Sequence, residues 1–460
     1  MTLDEYISSL KDKTIAVIGI GVSNAPLIEL LLKNGCSVTA CDRRSFEELG
    51  EEGELLKNLG AKLKLGEDYL EGLNQDIIFR TPGLMPFDEH LMAAKARGSV
   101  ITSEMEAFFF ICPCKIIAVT GSDGKTTTTT IISEILKAAG YRVHLGGNIG
   151  HPLLCETPDI HADDIAVLEL SSFQLHSMRC HPDVAVITNL SPNHLDKHRD
   201  FQDYIDAKRA IYSAQSENDT LVLNLDDEHS EYYRSFAKGR ISWFSDKNTV
   251  SNGTMCRDSV ICRAANGVCH EIMPVSEIKL PGEHNVLNYL AAFAAVEGLA
   301  DDEACRSVAR SFGGVEHRLE FVRELRGVTF INDSIGSSPT RTINGLRAMK
   351  TKPIVIAGGY DKHIPFDGLG DELCRMAKRV YLTGATAKKI HTAILASDCY
   401  SGSGLKIEMI DDFDECVLAA ANGAEAGDIV LFSPACASFD RFKNFEERGK
   451  HFKKLIMELK

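Results

Sequence analysis

Residues 116–136 read IIAVTGSDGKTTTTTIISEIL, and this stretch decides the fold of the middle of the chain. A short apolar run, Ile116–Thr120, leads into a glycine loop at 121–124, and a helical pattern begins at Lys125. A strand that turns through glycines into a helix aims backbone N–H groups and a helix N-terminus at a phosphate. The stretch therefore predicts a site for a nucleoside triphosphate.

The glycine loop is shorter than a full Walker A motif, G-x4-G-K-[ST], because Val119 stands where the first glycine would be. In the observed form, T-G-x-x-G-K-T, Lys125 would meet the β- and γ-phosphates and Thr126 could ligate Mg²⁺. The alternative is a plain strand–turn–helix with an exposed lysine. The predicted ATP-binding residues of the loop are Gly121, Ser122, Asp123, Gly124, Lys125, Thr126 and Thr127.

Composition narrows the class of protein. The 460 residues suffice for about three domains, and the net charge of −15 argues against a nucleic-acid partner. Residues 1–13 carry acidic side chains and no long apolar run, and no run elsewhere is long enough for a membrane span. The 14 cysteines include no C-x2-C pair, which favours buried thiols in a reducing cytosol over zinc or disulfides. We therefore expect a cytoplasmic protein with no membrane partner.

Two further apolar strands run into glycines, Ile15–Ile18 before Gly19 and Ile354–Ala357 before Gly358. Buried strands followed by a glycine and a helical pattern are typical of parallel sheets in α/β domains. Together with the phosphate loop they predict an α/β chain of three domains, with bounds 1–103, 104–313 and 314–460.

Segment 240–275 breaks this pattern. Short β-prone runs alternate there with Asn-Gly pairs at 252–253 and 266–267. Such pairs favour tight turns, so the segment predicts hairpins at one edge of the middle sheet.

The first glycine turn, Gly19-Ile20-Gly21, resembles a dinucleotide fingerprint in which Asn24 replaces the third glycine and Asp42 follows about 20 residues on. Three interpretations stay open from these residues alone: an NAD(P) site, a site for another nucleotide, and a purely structural turn.

Polar side chains follow two strands of the middle domain. Glu169 comes after the strand at 166–168, and His194 follows the strand at 184–188. A carboxylate at a strand end beside a phosphate loop suits Mg²⁺. A capping or solvated glutamate and a structural histidine are the alternatives.

Three more residues indicate a function only in combination with the other motifs. Lys208 lies in the helical pattern 201–212 and reads alone as a lysine on a solvated face. Asn285 and Asn288 share one face of an alanine-rich helix, where helix capping is the alternative role.

Taken together, these motifs resemble those of the Mur ligase family, the ATP-dependent amide-bond ligases of peptidoglycan synthesis. T-G-S-D-G-K-T-T, E-L-S-S-F-Q-L, N-H-L-D, H-N-x-x-N and H-R occur in the family's order across essentially the whole chain. The related folylpolyglutamate synthetases share part of this set. The resemblance implies a Rossmann-like N-terminal domain, a central P-loop-type ATPase domain with a mostly parallel sheet, and a Rossmann-like C-terminal domain.

The two ends of the chain resemble the members that add D-glutamate to UDP-N-acetylmuramoyl-L-alanine. The similar segments are 433–440, 442–449 and the G-I-G-V-S-N turn at 19–24. This implies a monomer in which ATP converts the alanyl carboxylate to an acyl phosphate that the amine of D-glutamate attacks. A lysine that many members carry after N-D-S is Ile335 here, which leaves open a related ligase with another acceptor. A nucleotide-binding regulator without catalysis is the other alternative.

Residue roles also follow from the resemblance. It implies catalytic roles for Lys125, His194 and Lys208, with two Mg²⁺ sites and a carbamylated Lys208. The implied metal ligands are Thr126, Glu169, His194 and Lys208. Further ATP contacts are Asn285, Asn288, Arg318 and Asp333. The implied contacts to the uridine-nucleotide precursor are Ser23, Asp42, Arg44, Gly83 and Asn148. Those to D-glutamate are Lys362, Ser438, Phe439 and Phe445.

Overall fold

A computed structural model describes residues 1–21, 23–149, 151–191, 197–280, 282–349, 351–361 and 365–460. The chain divides into two compact units, Met1–Phe312 and Gly313–Lys460. Within the described ranges, no helix combines the length and apolar character needed to cross a membrane.

The first unit opens with a sheet of five parallel strands in the order β3-β2-β1-β4-β5. Its central strand is apolar and buried after its first residue, as expected for a strand covered on both faces. The strands are β1 Thr14–Ile18, β2 Ser37–Asp42, β3 Lys62–Leu65, β4 Ile77–Phe79 and β5 Val100–Thr102. The helices are α1 Leu3–Leu10, α2 Asn24–Lys33, α3 Phe46–Leu49, α4 Glu51–Asn58 and α5 Glu89–Ala96.

Helix α6, Glu104–Ile111, leads into a second sheet, whose order is β14-β13-β12-β11-β10-β9-β6-β8-β7. Its strands are β6 Lys115–Thr120, β7 Val143–Gly147, β8 Ile165–Glu169, β9 Val184–Ile187, β10 Thr220–Asn224, β11 Arg240–Ser245, β12 Gly253–Arg257, β13 Val260–Ala265 and β14 Val268–Pro274. The helices are α7 Lys125–Ala138, α8 Ser172–Leu175, α9 Phe201–Arg209, α10 Ser230–Arg234, α11 Glu283–Ala295 and α12 Asp302–Ser311. Short 3₁₀ helices span Leu154–Asp159, Ala210–Tyr212 and Val275–Glu277.

The predicted hairpins do lie at one edge of this sheet, but one of their turns was assigned wrongly. Strand β12 pairs with β11 in parallel, so Asn252-Gly253 is not a hairpin turn. The β12–β13 turn falls at Asp258-Ser259, where both residues have positive φ. The β13–β14 turn does fall at Asn266-Gly267. A type I′ turn requires positive φ at both central residues, and Asp258 and Ser259 adopt it although neither is a glycine.

The second unit holds a sheet in the order β15-β16-β20-β17-β18-β19, parallel except for the β15–β16 pair. Its strands are β15 Glu320–Leu325, β16 Val328–Asn332, β17 Ile354–Ala357, β18 Arg379–Leu382, β19 Lys406–Met409 and β20 Ile429–Phe432. Its helices are α13 Pro339–Arg347, α14 Asp367–Met376, α15 Ala387–Leu395, α16 Tyr400–Ser403, α17 Phe413–Asn422 and α18 Phe445–Glu458. The α/β class with mostly parallel sheets is confirmed, whereas the three domain bounds stay a prediction.

One hydrophobic cluster joins the two sheets of the first unit. It runs from Leu3 and Val17 through Phe108 of α6 to Leu168 and Leu223. Burial of one continuous apolar surface disfavours separation of the two sheets.

The buried guanidinium of Arg80, just after β4, adds a polar connection between these sheets. It donates to Ser177 Oγ (2.9 Å) and to the carbonyl oxygens of Phe173 (2.8 Å) and Gln174 (3.1 Å). Burial lowers the pKa of Arg80 to about 10. The desolvated charge is held by directed hydrogen bonds, which fixes how β4 meets α8.

Arg80→Met tests this connection. The change removes the donors and leaves buried carbonyls unpaired, so we expect the free energy of unfolding to fall by about 3 kcal/mol. Urea unfolding can be followed by the fluorescence of Trp243, the single tryptophan of the chain. Arg43→Met is the control, since the Arg43 side chain is 73% exposed and forms an ion pair with exposed Glu67. Equal losses in the two variants would contradict the assigned role.

Candidate functional site

The phosphate loop follows β6 and fits only glycine at two positions. Gly121 has φ +147°, and a Cβ there would lie 1.9 Å from Thr188 Oγ1. Gly124 has φ +76°, and a Cβ there would lie 2.3 Å from Asn288 Oδ1. Both positions require the freedom of glycine and the absence of a side chain.

The segment after β9 holds the loop from one side. Ser122 N–H donates to Asn189 O and Asp123 N–H to Asn189 Oδ1, each at 2.9 Å. The Thr188 hydroxyl donates to Asp123 O at 2.6 Å. These groups lie at the ends of adjacent parallel strands, and their hydrogen bonds hold the backbone of the loop in place.

Two lysines converge on one carbonyl oxygen of the loop. Lys125 Nζ donates to Gly121 O at 2.9 Å and to Ser122 O at 2.8 Å. Lys208 Nζ, from α9, donates to the same Gly121 O at 2.7 Å. The lysine expected from the motif and the lysine that resembled a surface residue are therefore neighbours.

Lys208 is 1% exposed, and its Nζ lies 4.5 Å from the centre of the Tyr204 ring. Burial and the positive charge of Lys125 lower the pKa of Lys208 well below its usual range, although Asp123 and Glu169 act in the opposite direction. These effects disfavour the ammonium form of Lys208, and the neutral amine is the nucleophilic form of a lysine.

Glu169, at the end of β8, is 1% exposed. Its Oε1 accepts a hydrogen bond from Asn148 Nδ2 at 2.7 Å, and its backbone oxygen accepts from Asn148 N–H at 2.7 Å. Its Oε2 is buried and has no hydrogen-bond partner in the described part of the chain. A buried carboxylate oxygen without a donor fits a bound cation, and the buried Thr126 in the first turn of α7 is the loop's candidate ligand.

His194 lies outside the described residues, but a histidine cluster that the sequence did not single out lies nearby in the chain. His198 Nδ1 lies 3.0 Å from Asp203 Oδ2, and its Nε2 lies 3.0 Å from Ser172 Oγ. His176 Nε2 lies 3.0 Å from Asp203 Oδ1. Ser172 lies three residues after Glu169, and Asp203 lies on α9 with Lys208. The network therefore holds the segment after β8 against α9, and these two segments carry the predicted ligands.

Asn285 and Asn288 are both buried at the start of α11. Asn288 Nδ2 donates to Asn285 Oδ1 at 3.0 Å, and Thr128 Oγ1 donates to Asn288 Oδ1 at 3.2 Å. The pair therefore packs on α7 beside Gly124, on the loop side of the sheet. Their contact with adenine stays a prediction.

Among the residues predicted for the uridine nucleotide, Ser23, Asp42 and Arg44 lie beyond the ends of β1 and β2, whereas Gly83 follows β4 and Asn148 follows β7 of the second sheet. Asp42 accepts hydrogen bonds from Ile20 N–H (2.7 Å) and from Arg44 Nε (3.0 Å). Burial opposes ionisation of Asp42, but the hydrogen bonds from Arg44 and Ile20 outweigh it and lower the pKa. Ser23 lies just before α2, and Gly83 follows β4 with open space where a Cβ would be.

In the second unit, Asp333 follows β16 and is buried. Its Oδ2 accepts from the Ser433 hydroxyl at 2.7 Å and its Oδ1 from Leu319 N–H at 3.2 Å, beside Arg318. Burial raises the pKa of Asp333 to about 6. This places Asp333 and Arg318 together, as their predicted shared role requires.

The D-glutamate residues are only partly brought together. Ser438 is buried, Phe439 is exposed against Tyr360, and Phe445 opens α18 beside His317. Lys362 lies outside the described residues. The sequence did not single out Arg448, which is buried and donates to the carbonyl oxygens of Ala437 (2.8 Å) and Ser334 (2.9 Å). An arginine in an amphipathic helix gives no signal of such burial, so only the structure could reveal it.

Comparison with known protein families gives two matches. Residues 119–296 match the family model described as the Mur ligase middle domain. Residues 317–436 match the family model described as the Mur ligase, glutamate ligase domain.

Curated relatives cover the chain almost completely. A protein of Acetivibrio thermocellus named UDP-N-acetylmuramoylalanine--D-glutamate ligase is 48% identical over 99% of this chain and 98% of its own length. A protein of the same name from Clostridium novyi is 47% identical over 100% of this chain and 99% of its own.

Solved structures share the fold. UDP-N-acetylmuramate-alanine ligase from Thermotoga maritima aligns with a TM-score of 0.53 at 18% identity, over 97% of this chain and 100% of its own. MurF from Acinetobacter baumannii aligns with a TM-score of 0.52 at 16% identity, over 99% of this chain and 98% of its own.

Gly124→Ala tests the phosphate loop. The new Cβ would collide with Asn288 Oδ1, so we expect the affinity for an ATP analogue, measured by calorimetry, to fall at least about tenfold. Gly140→Ala is the matched control, because Gly140 has φ +94° with nothing within 4 Å of its Cβ position. Both variants carry the backbone strain of a left-handed alanine, about 1 kcal/mol. Equal affinities in the two variants would exclude the loop from nucleotide binding.

Proposed function

The chain belongs to the Mur ligase family, and on that premise we propose that it joins D-glutamate to UDP-N-acetylmuramoyl-L-alanine, converting ATP to ADP and phosphate. The observation that carries the proposal is a rigid phosphate loop, flanked by buried Lys208 and Glu169, in a chain that matches relatives named for this reaction over its whole length. A related ligase with another acceptor, or a regulator without turnover, is not favoured by these relatives.

The proposed reaction has two steps. An oxygen of the alanyl carboxylate attacks the γ-phosphorus of ATP, and ADP leaves. The amine of D-glutamate then attacks the resulting acyl phosphate, loses a proton, and expels phosphate as the amide forms. Both steps bring anions together, so a site must supply positive charge and N–H donors. The N-terminus of α7 and Lys125 are the groups of this chain that would do so, because Ser122 N–H and Asp123 N–H donate to Asn189.

The residues present fit Mg²⁺. Glu169 would hold one ion through Oε2, which lacks a donor within the described residues, together with the Thr126 hydroxyl. When bound, Mg²⁺ supplies positive charge against the phosphate oxygens. We propose a second ion held by His194 and a modified Lys208. Asn148 orients Glu169 by donating to its other oxygen.

The environment of Lys208 favours carbamylation. A neutral amine adds to carbon dioxide and releases one proton, which leaves an anionic carbamate. Burial and Lys125 disfavour the ammonium form of Lys208, and the carbamate would place an anion beside the positive charge of Lys125. This exchange relieves the repulsion between two lysines that share one carbonyl oxygen.

We further propose that the chain acts as a monomer in the cytoplasm; the precursor and D-glutamate are small polar molecules that need no membrane partner.

Acceptor choice tests the function. With ATP, Mg²⁺ and the precursor, we expect phosphate release to need D-glutamate and to be at least about 100-fold slower with L-glutamate or L-alanine. Phosphate release and the mass of the product are measured together. Preference for another amino acid would replace D-glutamate by that acceptor, and nucleotide binding without turnover would establish the regulator.

Lys208→Ala tests the carbamate. We expect turnover to fall by about 10²-fold or more, with partial recovery on addition of short carboxylic acids. Wild-type protein in ¹³C-labelled bicarbonate should show a carbamate carbon signal by NMR that is missing in the variant. Lys137→Ala is the control, because Lys137 is exposed on α7 and pairs with Glu134. A carbamate signal that persists in Lys208→Ala, or full activity in that variant, would refute the assignment.

A further inference from the structure

A cavity lies between the two sheets of the first unit. Its wall combines the N-terminus of α2, the end of β4, the start of α6 and the end of β7. The polar side chains on this wall are Ser23, Asn24, Arg80, Ser103, Glu104 and Gln174. Within this set, Glu104 is the one carboxyl group.

Glu104 stands in the first turn of α6 and is 5% exposed. Its Oε1 accepts a hydrogen bond from Leu154 N–H at 2.9 Å. No other hydrogen bond reaches this carboxyl group from the residues that the structure describes. One carboxyl oxygen is therefore committed to the 3₁₀ helix at 154–159, and the other is available to the cavity.

The charges around Glu104 favour its neutral form. Glu156 faces it from the same 3₁₀ helix, and the Cys155 thiol lies beside both. Arg80 shares the cavity wall, but its guanidinium is directed to Ser177 and to backbone carbonyls, and its charge interacts with Glu106. Burial, with a smaller effect of Glu156, raises the pKa of Glu104 to about 7 against the hydrogen bond from Leu154.

The position of the cavity connects it with the proposed function, on which the inference rests. Ser23, predicted to contact the uridine nucleotide, lies at one part of the wall. Gly147, the neighbour of Asn148 and Glu169, lies at another. The cavity wall therefore lies beside segments predicted to contact both ends of the precursor. The precursor carries a diphosphate and a carboxylate, so an ionised Glu104 would repel it.

We propose that Glu104 is a precursor-binding residue that acts in its protonated form, donating a hydrogen bond to an oxygen of the acylated amino sugar or its peptide. A protonated carboxyl group offers one O–H donor, whereas a carboxylate only accepts. Binding of the precursor is then coupled to protonation of Glu104. Above pH 7 the protein must take up a proton when the precursor binds.

Calorimetry with the precursor alone tests this coupling without the ligase reaction. At pH 8 we expect wild-type protein to bind the precursor about tenfold more weakly than at pH 6, because one proton must be gained. Titrations in buffers of different ionisation enthalpy should show uptake of close to one proton at pH 8. Glu104→Gln keeps a neutral donor, so its affinity should change less than about twofold over this range, with no Glu104-linked proton uptake.

Glu106→Gln is the matched control. Glu106 lies two residues further along α6, is also partly buried, and has a raised pKa, but it bonds Thr102 and Arg179 N–H and is not part of the cavity wall. This variant should retain the pH dependence of the wild type.

Thermal unfolding adds a readout independent of the precursor: the raised pKa of Glu104 costs stability as pH rises toward 7. The melting temperature of Glu104→Gln minus that of wild type should therefore be higher at pH 8 than at pH 5.

The outcomes separate the two claims. If Glu104→Gln keeps the wild-type pH dependence and proton uptake, or binds the precursor poorly at every pH, the role of Glu104 is refuted. If precursor binding takes up a proton as expected but D-glutamate does not stimulate phosphate release, the proposed function fails while the role of Glu104 stands.

Discussion

One carbonyl oxygen, Gly121 O, accepts hydrogen bonds from two lysine ammonium groups, Lys125 at 2.9 Å and Lys208 at 2.7 Å. Two cations on one acceptor repel each other, and one of them is fully buried. Burial and the charge of Lys125 therefore lower the pKa of Lys208. Glycine is required at 121 for a separate reason, because φ is positive there and a Cβ would collide with Thr188.

The same preference for neutral buried groups recurs elsewhere in the chain. Burial raises the pKa of Glu104 to about 7 and that of Asp333 to about 6. Glu104 is proposed to bind the precursor and Asp333 is predicted to contact ATP, and both ligands are polyanions. Arg80 and Arg448, also buried, are held by carbonyl oxygens and keep segments in place. The protein thus combines buried groups that can lose their charge with buried guanidinium groups that position the backbone.

Much of the fold and part of the site could be predicted from sequence. The strands before Gly19, Gly121 and Gly358 are continuous apolar runs that end at a glycine. Such a pattern can be recognised from the local sequence alone. Glu169 could be found because it follows such a strand. The histidine network of His176, His198 and Asp203 could not, since its parts come together only through packing of α8 on α9. Glu104 was also missed, because its importance comes from the cavity that the two sheets enclose. The turn at Asp258-Ser259 was missed because neither residue is a glycine.

We propose that the loop at Gly121 serves to activate a carboxylate. Precursor labelled with ¹⁸O in the alanyl carboxylate, incubated with ATP, Mg²⁺ and D-glutamate, tests it most directly by mass spectrometry of the released phosphate. We expect each released phosphate to carry one labelled oxygen, transferred through the acyl phosphate. Unlabelled phosphate accompanying amide formation would contradict it.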